Sequence, residues 1–156
     1  MKKAICKIFA HFLYRGMKVL YKKDQRVREE IDVIKENTCF VLQFDMKKKS
    51  SFVAIEKTNK GLKKRKYIKD TDIVIVFKNL DIALKVMTGQ KGLCDAYAEH
   101  DFILKGSIND CMGFVRIVEL VMTHLLPKKM LKKILREVPK RSISMLTTYV
   151  CAIFGN

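Results

Sequence analysis

Glycine and proline are scarce in this 156-residue chain, 7 and 2 respectively, which excludes collagen-like and low-complexity architectures. With 49% hydrophobic residues, the chain can bury enough apolar surface to fold rather than stay disordered. No uninterrupted apolar run reaches the roughly 18 residues that a membrane-crossing helix needs. Regular cysteine spacing is also missing. Cys6, Cys39, Cys94, Cys111 and Cys151 are odd in number, far apart and without a C-x-x-C pair, a pattern that gives neither a disulfide framework nor a zinc site. The three histidines never stand at metal-ligand spacing with one another or with a carboxylate pair. A leader of the secretory type is not expected either. Met1-Lys2-Lys3 precedes an apolar stretch, but Lys7, His11 and Arg15 interrupt it and no small-x-small cleavage site follows. A reducing cytoplasm is the expected compartment, with peripheral attachment to a membrane left open.

What is abundant is positive charge. Thirty-two Lys and Arg against 16 Asp and Glu give a net charge of +16, so the expected partner carries phosphate, on lipid headgroups or on nucleic acid. The charge is uneven. Residues 1–70 hold 20 basic and 8 acidic side chains, residues 71–126 hold 5 and 7, and residues 127–156 hold 7 and 1. A neutral, apolar middle is flanked by basic ends, within a mass of 18.1 kDa that suits one ordinary domain.

Along the first segment Lys3, Lys7, His11, Arg15, Lys18 and Lys22 recur every three or four residues. Ile5, Ile8, Phe9, Phe12, Gly16, Val19 and Leu20 fall opposite, which predicts a basic amphipathic helix. A second helix is expected from Asp24 to Glu36. The period then changes: Thr38 to Phe44, Ser51 to Thr58, Leu62 to Ile68 and Asp72 to Phe77 read as four strands in antiparallel hairpin order. The turns are Lys47 to Ser50 and Asn59-Lys60-Gly61. A short helix from Leu80 to Met87 ends at Gly89, another spans Gly92 to Glu99, and Phe102 to Lys105 is a fifth strand broken by Gly106. A helix over Cys111 to Leu126, capped by Ser107 or Asn109, has few polar residues on any side. Pro127 opens a further helix with Lys128, Lys129, Lys132, Lys133 and Arg136 on one face; it runs to Val138 and stops at Pro139. Ser142 is expected to cap a last helix with an apolar stripe at Leu146, Tyr149, Val150, Ile153 and Phe154.

Catalytic readings find little support. His100 sits between Glu99 and Asp101 in what reads as a solvated turn, and Cys94 or Cys111 reads as a small core residue rather than a nucleophile. Gly89-Gln90-Lys91-Gly92 follows a helix and lacks the Walker pattern, so it reads as helix punctuation. The Lys-rich stretch Lys60 to Lys66 lacks interleaved aromatics apart from Tyr67, which disfavours nucleic acid. The basic helices at both ends fit an interfacial membrane helix, with Lys3, Lys7, Arg15, Lys18, Lys128 and Lys132 toward lipid phosphate. Ile73, Ile75 and Phe77 oppose Val74 and Val76 across one strand. Both faces therefore want cover, from a dense core and partner elements or around an apolar cavity; periodicity leaves the two open.

From Asp72 to Leu126 the order of elements resembles the sterol carrier protein 2 family of lipid-binding domains. The resemblance rests on Asp72-Ile73-Val74-Ile75-Val76-Phe77, on Ile82-Ala83-Leu84-Lys85-Val86-Met87-Thr88-Gly89, on Ala96-Tyr97, and on Phe102-Ile103-Leu104-Lys105-Gly106-Ser107 ahead of the apolar helix. Phe52 to Gly61 looks like the preceding hairpin, and the similarity covers about residues 37–126. Ser107 stands where the family usually has Asp, and His100 near a common Gly. The resemblance implies an α+β fold with a five-stranded, mostly antiparallel sheet covered by helices, here with added basic amphipathic helices at both termini. It divides the chain into residues 1–36, a basic helical segment; 37–126, the lipid-binding domain; and 127–156, helices of the same compact unit. It further implies an apolar tunnel for a fatty acyl chain, sterol or isoprenoid, lined by Phe77, Leu84, Met87, Leu93 and Tyr97 and, on the apolar helix, by Phe114, Val115, Val118 and Met122. The expected activity is non-catalytic binding or transfer of such a ligand at an anionic membrane, without metal or cofactor. The alternative is a basic nucleic-acid or protein interaction module with a solid core.

Overall fold

Twenty-two residues of the amino-terminal segment, Lys2–Lys23, form one long helix, α1, as the three-to-four-residue recurrence of cations demands. The computed structural model describes residues 1–48, 52–69, 72–135 and 137–154; Ser51, at the head of an expected strand, Lys49 and Ser50 in the turn before it, and Arg136 lie outside these. Helix α2, Gln25–Asp32, is capped by the Asp24 carboxylate, which accepts from the Arg26 amide at 2.9 Å. It ends four residues before the expected Glu36. Lys57 reaches over from the sheet and donates to the carbonyls of Asp32 and Ile34 at 3.0 and 2.7 Å, taking acceptors that a longer helix would have used.

Strands β1 (Cys39–Gln43), β2 (Phe52–Thr58), β3 (Gly61–Arg65), β4 (Ile73–Phe77) and β5 (Phe102–Lys105) form one mixed, mostly antiparallel sheet in the order β3-β2-β1-β4-β5. The expectation of four strands in simple hairpin order is corrected at its last step. β4 does not pair with β3 but lies parallel to β1, with Phe40 opposite Ile73 and Leu42 opposite Ile75. The antiparallel inference held only where a connection is short, and it says nothing about a chain that crosses to the far side of the strand it started from. Helices α3 (Leu80–Met87) and α4 (Leu93–Ala98) precede β5; α5 (Ile108–Leu125), α6 (Lys128–Ile134) and α7 (Met145–Phe154) follow it. Helix α6 stops at Ile134, short of the expected Val138, and Leu135 turns extended so that Ile134, Leu135 and Val138 pack back on the core. The cap of α7 is Ser144, whose hydroxyl accepts from the Thr147 amide at 3.1 Å. Ser142, expected in that role, bonds elsewhere.

Alternation sorts the sheet into two faces. Phe40, Leu42, Phe44, Ile55, Leu62, Ile73, Ile75, Phe77 and Phe102 point to one side and share a single core with residues from α1 to α6, including Cys6, Ala10, Leu13, Met17 and Leu20 of α1. Phe114 of α5 stacks on Phe40 at 4.4 Å between ring centroids, and Phe77 meets Phe102 edge-on at 5.6 Å. On the other side Cys39, Val41, Ala54, Val74 and Val76 form a second, smaller cluster with no helical member among the described residues. There the register sets Arg65, Ala54, Val41 and Val74 in one row across four strands. The buried Arg65 guanidinium pairs with the buried Asp72 carboxylate at the head of β4 and also with Glu56 at 3.3 Å. A long cationic side chain beside a row of small residues thus covers what no helix covers. Burial beneath it pushes the Cys39 thiol up to about 12. Cys6, Cys39, Cys111 and Cys151 are free, buried thiols.

Candidate functional site

Between the helical layer and the sheet lies a cavity of about 250 Å3. Leu42 and Ile75, neighbours in register on β1 and β4, form its floor, and Ile8, Phe9, Phe12 and Leu13 of α1 form its roof. Val86 and Met87 of α3, Leu93 at the start of α4, Val118, Met122 and Leu125 of α5, Leu126 and Tyr149 of α7 close the sides. Two glycines set how the walls meet. A Cβ on Gly16 would stand 3.1 Å from Leu125 and 3.2 Å from Val121, so this residue lets α1 lie close on α5. Gly89, in the left-handed region at φ +70°, ends α3 with Leu126 against its Cα. Tyr149 spends its hydroxyl on the Leu125 carbonyl and turns its ring toward Phe12, 5.5 Å between centroids. The walls therefore offer carbon almost everywhere. Ile8 both lines the cavity and is 63% exposed, which marks the mouth along the amino-terminal half of α1.

Of the residues expected to line a tunnel, Met87, Leu93, Val118 and Met122 meet in this cavity. Leu93, Tyr97 and Val115 border a smaller one of about 80 Å3 with Phe102, Leu104 and Met112. Phe77 and Phe114 line neither: each is enclosed in the aromatic packing of the core. Leu84 is half-buried and also lies off both cavities. Sequence reasoning missed Phe9, Phe12 and Leu13, because the apolar side of a basic helix was given to a membrane. The signal that could have found them is the intervening run of small or flexible residues, Cys6, Ala10 and Met17, which suits a helix packed on a core.

The cations divide into two groups. Lys7 and Lys18 are exposed and Lys3 and Arg15 half-buried on α1, while Lys128 and Lys132 are exposed on α6. Along α1 the row continues in a groove lined by His11, Tyr14, Arg15, Lys18 and Lys22 and, from α7, Cys151. Lys64 of β3 joins it, with Nζ 2.6 Å from His11 Nδ1 and 5.0 Å from the Tyr14 ring centroid. Burial lowers the pKa of both His11 and Lys64, and their positive neighbours lower them further, Lys64 and Arg15 for His11 and Arg15 for Lys64. Among the described residues Lys7, Arg15, Lys18 and Lys22 form no ion pair. The second group, Lys128, Lys132, Lys140 and Arg141, borders a groove with Ser144 and Met145 at the start of α7.

One polar cluster joins two buried side chains, Asp24 and His124, to the exposed Ser142. Ser142 donates to Asp24 Oδ2 at 2.6 Å and lies 3.2 Å from His124 Nε2, while His124 Nδ1 faces the Leu120 carbonyl at 3.0 Å. Serine and carboxylate both stand at Nε2, so the imidazole does not relay between them as a nucleophile's base must. The cluster ties the segment before α7 to the junction of α1 and α2. Among the described residues no group of three or more His, Cys, Asp or Glu could hold a metal ion, and no helix is long and apolar enough to cross a membrane. Comparison with family models, curated proteins and solved structures finds no match to this chain.

Proposed function

We propose that this chain is a non-catalytic lipid-binding protein, a distant relative of the sterol carrier protein 2 family, that holds an apolar ligand beneath α1 and docks on anionic membranes. The carrying observation is the cavity of about 250 Å3 with its carbon walls. An apolar cavity of about 150 Å3 already takes up benzene, and drug-sized sites begin near 300 Å3. The available volume therefore favours an acyl segment or a small isoprenoid over a whole sterol. At about 0.8 kcal/mol per buried CH2, eight carbons contribute on the order of 6 kcal/mol before the cost of immobilisation. Met87 and Met122, flexible and unbranched, let the walls fit more than one ligand shape. The one-sided helical layer over a five-stranded sheet agrees with the architecture that the family resemblance implies.

The test is titration with a fluorescent fatty acid, with Val118→Phe as the variant that fills the space. The wild type is expected to bind at micromolar concentration or tighter, and Val118→Phe to lose at least about ten-fold in affinity while its melting temperature holds or rises. Should the wild type take up no probe, or the filled variant titrate as the wild type does, the reading fails. The unpaired cations of α1 favour the second reading, a basic module that grips a polyanion and takes up no ligand. Retained nucleic-acid binding by a protein that ignores neutral apolar probes would select it.

A further inference from the structure

We propose that α7 is the element that enters an anionic lipid bilayer, lying flat in its interface beside the mouth of the cavity. The inference rests on the lipid-binding reading above and supplies the surface through which the ligand comes and goes. Helix α7 has two apolar sides. Thr148, Cys151 and Ala152 are buried toward the molecule, whereas Leu146, Val150, Ile153 and Phe154 are each more than half exposed. A stripe at this spacing on ten residues without a single charged side chain is costly to leave in water. At about 1.5 Å per residue the helix is roughly 15 Å long, half of what a crossing needs but ample for lying in the headgroup boundary.

Charge decides the occupant. The two cationic grooves bracket this helix: His11, Arg15, Lys18 and Lys22 meet it at Cys151, and Lys128, Lys132 and Lys140 meet it at Ser144 and Met145. Among the described residues no acidic side chain lines either groove. An apolar stripe between two cationic rows whose Lys and Arg form no ion pair among the described residues is complementary to acyl chains between anionic headgroups. A second copy docking through the same face would set its own cationic rows against these, in a chain of net charge +16. A phosphodiester backbone would satisfy the cations but leave the stripe in water. Ile8, at the cavity mouth, and Ile5 are exposed on α1, the helix that also carries the first cationic row.

The test is co-sedimentation with vesicles of phosphatidylcholine with and without phosphatidylserine. The full chain is expected to sediment only with the anionic vesicles and to release as salt is raised. The double variant Val150→Asp/Ile153→Asp should lose at least about ten-fold in vesicle affinity, and Lys18→Ala or Arg15→Ala about five-fold each. Val33→Asp, at an exposed valine on α2, should change nothing. Because the chain has no tryptophan, Phe154→Trp adds a sole reporter, whose emission should shift to the blue on anionic vesicles. Sedimentation of the double variant equal to that of the wild type overturns the proposal. So does a double variant that changes only from dimer to monomer, since the stripe then belongs to a second copy. Fatty-acid affinity of the double variant, expected unchanged, separates the two readings: a wild type that binds vesicles but no fatty acid loses the cavity function and keeps the docking face.

Discussion

Asp24 shows how one side chain joins parts of the chain that the sequence keeps far apart. It caps α2 through the Arg26 amide, pairs with the Arg26 guanidinium at 3.1 Å, and accepts from Ser142, 118 residues away. Burial pulls its pKa upward, but the bonds from Arg26 and Ser142 outweigh burial and hold the carboxyl at about 2, against 3.8 for the free group. The charged form is therefore favoured in the folded state. Its stabilisation is whole above about pH 4 and drains away as pH falls from there through 2, worth roughly 2 kcal/mol in all. Asp24→Asn is expected to be less stable than the wild type by about that amount near neutral pH, with the difference closing toward pH 2. Urea denaturation across the acid range checks it, and a constant difference at every pH would refute the coupling. The sequence reading took Asp24 as the first residue of its helix rather than as the cap, and its distant partner left no local signal. Ser142 and Ser144 look alike to a rule that seeks a hydroxyl before an apolar stripe, and only the fold sends the first to Asp24 and leaves the second to cap α7.

Elements whose pattern is local were read closely. Helix α3 and strand β5 stand where the sequence put them, because Gly89 and Gly106 adopt the positive φ that ends each. Helices α2 and α6 were read too long, because their ends are set by contacts from elsewhere: the Lys57 ammonium on the carbonyls of α2, and the return of Leu135 and Val138 to the core after α6. The largest reassignment concerns α1. Lys7 and Lys18 are exposed and Lys3 and Arg15 half-buried, but Cys6, Ala10, Leu13, Met17 and Leu20 are buried in the common core and Phe9, Phe12 and Leu13 roof the cavity. Each large apolar side chain removed from such a place costs about 1.5–3 kcal/mol, and the whole fold of a domain rests on about 5–15. Deletion of residues 1–23 is accordingly expected to abolish cooperative unfolding as well as fatty-acid uptake, as thermal melts followed by near-ultraviolet circular dichroism would record. A truncated chain that still melts sharply would return α1 to the status of an appendage.

For the molecule as a whole, composition and charge pointed to one ordinary basic domain and the family resemblance implied an α+β fold; the structure is α+β, with helices at both ends of the chain and a five-stranded sheet between them. What no local pattern carried was the partner of β4. Strands β2 and β3 are joined by a two-residue turn, Asn59 and Lys60, and register against one another directly, whereas Phe40 of β1 meets Ile73 of β4 more than thirty residues later. That separation gives the sheet a history. The meander of β1, β2 and β3 can assemble from near neighbours, while β1 must keep its other edge open until β4 arrives, and closing so long a loop is the slower event. Ile75→Val, at the late seam, is expected chiefly to speed unfolding, and Ile55→Val, within the meander, to slow folding more; chevron plots of the two variants distinguish them, and equal partition of both effects would deny the order. Until the seam closes, the row of Phe40, Val41 and Leu42 offers an unpaired strand edge to any other nascent chain, so production at high concentration should favour aggregates that form before β4 docks rather than after.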